Sequence, residues 1–335
     1  MGKKTVLRLR KLAVMGCICA ALNVTALAAE ELVPVGQVVG IQMDIEGVLV
    51  AGLSDVETAE GPVNPAAEAG IREGDLILSV DGWAISSARE FLDRVNEVQN
   101  SETVLTVRRE GKNLNVCVHP ARERDGQLRL GLWLRDGIAG VGTVTYIDPE
   151  TGAYGALGHG VNDPETGLLL PLDAGELCRA RIVDVMPGKS GAPGELCGCF
   201  EPEAVVGSVA ENTGCGIFGI MNGAFRCSGP ALPVADGGEV RPGAATILSC
   251  VEGQTVEEYE VEICPAGIVA GEGRDLLVRV TDPELLALTG GIVQGMSGSP
   301  IIQDGKLVGA VTHVLVNDPT RGYGIFIENM LDATE

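Results

Sequence analysis

The sequence predicts a mainly β protein, a small α+β module followed by a larger β-barrel domain, and three observations lead there. Glycine is abundant at 47 of 335 residues while aromatics make up 3%, so cores must rest on Val, Leu, Ile and Ala in short strands joined by glycine turns. Helical patterning is confined to a few places, the clearest following Ser86 and Ser87. Beyond residue 128, short apolar runs broken by Gly and Asp recur to the C-terminus, the pattern of a barrel or sandwich. A chain of this length can bury two ordinary cores.

The first 28 residues differ from all that follows. Lys3, Lys4, Arg8, Arg10 and Lys11 precede an apolar run from Leu12, which ends in Ala26-Leu27-Ala28. This is the order of a secretory signal with cleavage after Ala28, and the alternative is an uncleaved anchor. The run is short for a membrane span and carries Asn23 and Thr25, which favours cleavage and export. The whole chain has a formal net charge of −22; without its first 28 residues, 19 basic residues face 46 acidic ones. Such a surface repels phosphate backbones, which argues against a nucleic-acid partner. Ten cysteines occur without any CxxC pair, and His119, His159 and His313 are not spaced as zinc ligands, so neither metal nor cofactor is expected. Export permits disulfides among the eight cysteines beyond the signal.

Between residues 36 and 120 the elements follow one another closely. Apolar alternation through Val39, Ile41 and Met43, then Val48 to Val50, predicts a strand pair turning at Glu46-Gly47. Asn64-Pro65 opens a short helix ending at Gly70, and Gly74-Asp75 turns into a strand from Leu76 to Val80. A helix capped by Ser86 or Ser87 presents Phe91, Leu92, Val95 and Val98 on one face. A hairpin through Glu110-Gly111 completes the module. The string Asn64-Pro65-Ala66-Ala67, Ala69-Gly70-Ile71, Gly74-Asp75-Leu76-Ile77 and Val80-Asp81-Gly82 resembles the central signature of bacterial protease-associated PDZ domains. That resemblance implies a groove where a peptide adds as an extra strand, with Val38, Val39, Gly40 and Ile41 as its binding loop.

The charged stretch at residues 121–128 marks a boundary, after which a second domain runs from 128 to 335. Its chemistry centres on "GGIVQGMSGSPIIQDGKLVGAVTHV", residues 290–314. Serine is a poor nucleophile until a base takes its proton. Of two histidines in this domain, His159 lies in "YGALGHG", where flanking glycines can expose the ring, while His313 lies inside a strand-like run; the base is therefore assigned to His159. Gly295-x-Ser297-Gly298-x-Pro300 is similar to the serine loop of chymotrypsin-like proteases, which implies a nucleophile at Ser297 and oxyanion donors in the N–H groups of Gly295 and Ser297. Ser299, before Pro300, matches the position packed behind the bend.

Read as whole segments, the order PDZ, "YGALGH", "TDPELLALTGGIVQGMSGSPII" and "GAVTHVLVNDPTRGYGIFIENML" resembles the stage IV sporulation protein B peptidases of spore-forming bacteria. The resemblance implies a PDZ domain followed by a chymotrypsin-like β-barrel domain in an exported serine endopeptidase. It implies cleavage of the chain itself and of a regulatory partner of an intramembrane metalloprotease, in the intermembrane space of the developing spore, with late sigma-factor activation as the outcome. By the motif, His159 is the base, Ser297 the nucleophile and Asp282 the orienting carboxylate. Asp282 also stands where an N-cap precedes the expected helix from Pro283 to Leu288. Asp163, Asp173 and Asp184 follow His159 at distances more usual for the triad carboxylate and are held in reserve. The alternative reading is a peptide-binding PDZ scaffold carrying a β-domain without activity.

Overall fold

The computed structural model describes residues 31–97, 102–226, 229–264 and 274–334, so the expected signal segment lies outside the described residues. After Glu31–Pro34 (β1), Val38–Leu53 (β2) runs 16 residues. The turn expected at Glu46-Gly47 is absent from it. Gly47 takes φ 75° within the continuing strand, where a Cβ would meet the Ile77 carbonyl oxygen at 2.4 Å.

The small module grows from the second half of this strand. Pro65–Glu68 (α1) is capped by Asn64, whose side chain accepts the Ala67 N–H, and Leu76–Val80 (β3) pairs with Val48 and Leu49. Ala88–Glu97 (α2) begins where the Ser87 hydroxyl accepts the Glu90 N–H. Thr103–Arg109 (β4) and Lys112–Val118 (β5) form the expected hairpin, with Glu110 and Gly111 both at positive φ. Phe91 and Val95 of α2 are buried against Val50, Ile77, Leu105 and Val107, the module's own core.

A second long strand, Leu132–Ile147 (β6), returns antiparallel to β2 from Leu132 opposite Leu53 to Thr143 opposite Val38. It is followed by Ala153–Ala156 (β7), Leu172–Met186 (β8), Glu195–Thr213 (β9) and Gly216–Met221 (β10). The pairing runs β6-β7-β10-β9-β8-β2 and returns from β2 to β6, a closed ring of six strands. A second closed barrel orders Gly243–Glu252 (β11), Thr255–Ile263 (β12), Leu276–Val280 (β13), Pro300–Gln303 (β14), Lys306–Val314 (β15) and Arg321–Phe326 (β16) as β11-β12-β13-β16-β15-β14. Pro283–Thr289 (α3) lies between β13 and β14, and Ile327–Asp332 (α4) closes the described chain.

The modules are thus interleaved, and this moves the start of the small module from the expected residue 36 into the second half of β2. Residues 38–45 pair on one side with β6 and on the other with β8, so they are a barrel strand, and the PDZ-like module is inserted between the first two strands of the first barrel. An alternating apolar strand looks the same in either module, and only its partners distinguish them.

Candidate active site

Helix α3 leads directly into the serine loop. It ends at Gly290, a left-handed C-cap, and the buried Thr289 hydroxyl lies 2.8 Å from the Leu285 carbonyl, to which it donates. Gly295 and Gly298 both have φ 97°, which side chains rarely adopt. At Gly298 space is also closed: a Cβ would stand 2.1 Å from the Thr143 carbonyl oxygen and 2.6 Å from the Leu157 nitrogen. Met296 is buried, and its N–H donates to the Val293 carbonyl at 3.2 Å. Ser299 is also buried, 3.1 Å from the Ser249 hydroxyl behind the bend. Ser297 is left half-buried and facing the cleft, and the N–H groups of Gly295 and Ser297 have no backbone acceptor among the described residues. The Ser297 hydroxyl donates to the Thr312 carbonyl at 2.7 Å.

The histidine reaches the same cleft from the first barrel. Leu157 and Gly158, at φ 70° and 69°, form consecutive left-handed residues just after β7. Leu157 is not a glycine, so this turn carries local backbone strain next to the site. His159 Nδ1 lies 2.9 Å from the Gly160 carbonyl oxygen. A carbonyl only accepts, so Nδ1 bears the proton and Nε2 keeps its lone pair for a substrate proton. Burial pushes the His159 pKa below its ordinary value, with the Gly160 contact opposing.

His313 is a neighbour that the sequence treats as structural. It follows an irregularity in the pairing of β15 with β16, and its ring centroid lies 4.9 Å from that of His159 at a 36° tilt. Its Nδ1 is buried without a hydrogen-bond partner among the described residues. Burial, then the charges of His159 and Arg274, push its pKa down to about 4. A register irregularity turned the ring into the cleft, and strand alternation in the sequence cannot show that. The cleft is about 500 Å3, with Val141, His159, Gly295, Ser297, Thr312 and His313 among its lining.

Asp282 is not brought to His159, which corrects its assignment as the orienting carboxylate. Its Oδ1 accepts the N–H groups of Glu284 (2.9 Å) and Leu285 (3.0 Å), and its Oδ2 accepts that of Glu260 (3.3 Å). The carboxylate is the N-cap of α3 and also ties that helix start to β12 through Glu260. Of the reserves, Asp163 is buried in an ion pair with Arg135 at 2.6 Å, while Asp173 and Asp184 lie exposed on β8. The position opposite the proton-accepting nitrogen is held by a backbone carbonyl, that of Gly160. Asp275, which the sequence did not single out, shares a neighbouring cavity with both imidazoles; its Oδ2 accepts the Phe326 N–H and the Asn329 side-chain amide.

The proposed binding loop at Val39, Gly40 and Ile41 is also corrected. These residues pair with β6 on one edge and β8 on the other, so no edge remains for a peptide. A Cβ at Gly40 would meet the Phe200 ring at 2.3 Å, and Ile41 lines the cleft at Ser297 instead. The groove beside the second helix of the module is elsewhere. It lies between Phe91 and Leu92 of α2 and residues Leu130 to Leu134 at the start of β6, with a volume of about 460 Å3.

The sequence model of the SpoIVB peptidase S55 family matches residues 126–331, and that of a PDZ domain matches residues 47–119. Among solved structures, the chain is similar to the PDZ domain of the SdrC-like protein from Listeria monocytogenes, at 25% identity and a TM-score of 0.22, covering 27% of this chain and 87% of that one. It is similar to the active form of the Rv3671c protease from M. tuberculosis, at 14% identity and a TM-score of 0.35, covering 58% of this chain and 72% of that one. It is also similar to the HtrA-type protease AlgW with a decapeptide, at 12% identity and a TM-score of 0.31, covering 62% of this chain and 52% of that one.

Proposed function

The chain belongs to the SpoIVB peptidase S55 family and is a serine peptidase, and from that premise we propose an exported endopeptidase of sporulation signalling. Its substrates are itself and a regulatory partner of an intramembrane metalloprotease, and it works in the intermembrane space of the developing spore. The observation that carries the catalytic part of this reading is one cleft holding Ser297, the His159 ring and two N–H groups without backbone acceptors.

In this reading the Ser297 hydroxyl swings from the Thr312 carbonyl to Nε2 of His159, which takes its proton as Oγ attacks the scissile carbonyl carbon. The oxyanion that forms is held by the N–H groups of Gly295 and Ser297. The imidazolium then gives its proton to the leaving amine, and water resolves the acyl-enzyme by the reverse sequence. Gly160 keeps the ring in the required tautomer, but a neutral carbonyl stabilises the imidazolium less than a carboxylate would. The acidic surface and the expected export favour a peptide substrate over a nucleic acid.

Labelling with a fluorophosphonate tests the chemistry. The wild-type protein is expected to label, and Ser297→Ala and His159→Ala to lose labelling and self-processing together. Labelling that survives Ser297→Ala would overturn the assignment. The signalling role is tested by incubating the protein with the extracytoplasmic part of the regulatory partner; a partner left intact by a labelling-competent enzyme would exclude that substrate.

A further inference from the structure

Strand β6 meets β2 along one edge from Leu132 to Thr143, regular from Gly137 to Thr143 and broken in register between Trp133 and Leu134 and between Arg135 and Gly137, and its other edge meets β7 only from Val144 onward. Over residues 132–142 this second edge carries no strand among the described residues. Thr143 shows which way its polar groups point. Its N–H donates to the Ser297 carbonyl at 3.2 Å and its carbonyl accepts the Leu157 N–H at 3.1 Å, both away from β2. Strand alternation turns the N–H and carbonyl groups of Val141 and Ala139 in the same direction. Residues Ile138 to Val141 line the catalytic cleft, and Leu132 to Leu134 line the groove against α2. One open edge therefore passes both places.

We propose that a protein substrate adds to this edge as one extended strand, its apolar C-terminal residue in the groove at α2 and its scissile bond at Ser297, so that cleavage falls a set distance from the C-terminus. The proposal deepens the peptidase reading of Ser297 and rests on it for the cut. Polarity follows from the pairing. Both β2 and β7 are antiparallel to β6, and antiparallel addition is the more stable mode per residue. A peptide so oriented runs from Ser297 towards α2 in its N-to-C direction, which delivers the C-terminus to the groove. Phe91, Leu92, Leu130, Leu132 and Leu134 form the apolar part of a groove that Ser54, Asp55, Glu123 and Arg129 also line, and an apolar terminal side chain fits against that part. The edge from Leu132 to Val141 spans roughly ten residues, about 30 Å at ~3.3 Å per residue.

The spacing between the two places is held from both ends. Asp136 accepts the Ala88 N–H at 2.9 Å, tying the start of α2 to β6. The adjacent Arg135 reaches the buried Asp163 at 2.6 Å and Glu165 at 2.5 Å on the barrel side. The middle of β6 is thereby fastened to both modules, which suits a ruler better than a hinge.

The test uses the full enzyme and peptides sharing one cleavable core and a C-terminal leucine, with spacers of increasing length between them. Cut positions are read by mass spectrometry and rates as kcat/KM. The expected result is a maximum, at least ~10-fold above the shortest peptides, when about eight to twelve residues follow the cut. A terminal aspartate should remove that maximum. Ala139→Pro deletes an outward N–H without touching the β2 ladder, and should lower kcat/KM for long peptides by at least ~10-fold. A rate independent of spacer length overturns the proposal. Binding of the same peptides to the Ser297→Ala protein, followed by fluorescence anisotropy, decides the track without catalysis. Long peptides are expected to bind at least ~10-fold more tightly than short ones, and equal affinities refute it. Length-dependent binding in a protein that never labels with fluorophosphonate would count against the peptidase and leave the track standing.

Discussion

Replacing Gly298 with alanine asks whether the serine and histidine loops are built as one unit. The new Cβ would lie 2.1 Å from the Thr143 carbonyl oxygen and 2.6 Å from the Leu157 nitrogen, and those two atoms bond to each other at 3.1 Å. Both are backbone, so neither can rotate away, and the loops must part by roughly 1 Å to restore ordinary contact. The φ of 97° adds strain of about 1–2 kcal/mol, and overpacking against a fixed neighbour adds about 1–3 kcal/mol. Gly305→Ala is the control. That residue also has positive φ, 76°, but nothing lies within 4 Å of its Cβ, so only the first cost applies. Urea unfolding should therefore place Gly298→Ala about 1–3 kcal/mol below Gly305→Ala. Leu157 is two residues before His159, and a displacement of this size should slow fluorophosphonate labelling on the order of 10²-fold, with Gly305→Ala labelling as the wild type does. Equal stability of the two variants and unchanged labelling of Gly298→Ala would refute the coupling of the loops through Thr143 and Leu157.

Other changes separate roles within the site. Ser297→Ala should reduce turnover by at least ~10³-fold with the fold intact, whereas Ser299→Ala, which loses the buried contact to Ser249, should cost about 1–2 kcal/mol of stability and leave the nucleophile reactive; a Ser299→Ala enzyme that folds normally but is inactive would reverse the two. Asp282→Asn keeps an N-cap and should retain activity within about threefold, while Asp282→Ala should lose about 1 kcal/mol by thermal or urea unfolding; a drop of several orders of magnitude in the stable Asn variant would restore it to the triad. The histidine pair sets a pH signature. Both folded pKa values lie below the ordinary ~6.5, so the base stays neutral further into acid, and the acid limb of kcat/KM should fall below pH ~6.5. For stability the sign is the same. As pH falls from ~6.5 towards 4 the unfolded chain binds protons that the folded His313 refuses, so stability is lost with acidification, and His313→Gln should flatten that loss. An acid limb above pH 7 would contradict the buried, neutral imidazole.

Much of the molecule could be read from residue order, because the signals are local. Asn64-Pro65, Ser87, Glu110-Gly111 and Asp282-Pro283 mark caps and turns through bonds made within a few residues, and each stands at the start or turn of the element expected there. The bend at Gly295 to Pro300 was legible for the same reason: two glycines at positive φ belong to the chain's own backbone. Sequence position alone could not say whether Asp282 caps a helix or orients a ring, since one residue suits both, and the choice depends on whether α3 or His159 comes within reach of its oxygens. Nor could it say that Val39 to Ile41 lie between two strands, because an open edge and a central strand carry the same apolar alternation. His313 entered the cleft through a slip in strand pairing, and β6 passes from groove to cleft because β2 and β6 are long enough to cross both modules. By itself the sequence determined the residue types, the caps and most of the turns, but not that Glu46-Gly47 would stay within one strand. Tertiary pairing, which joins residues more than a hundred positions apart, decided which edges stayed open and which side chains shared the cleft.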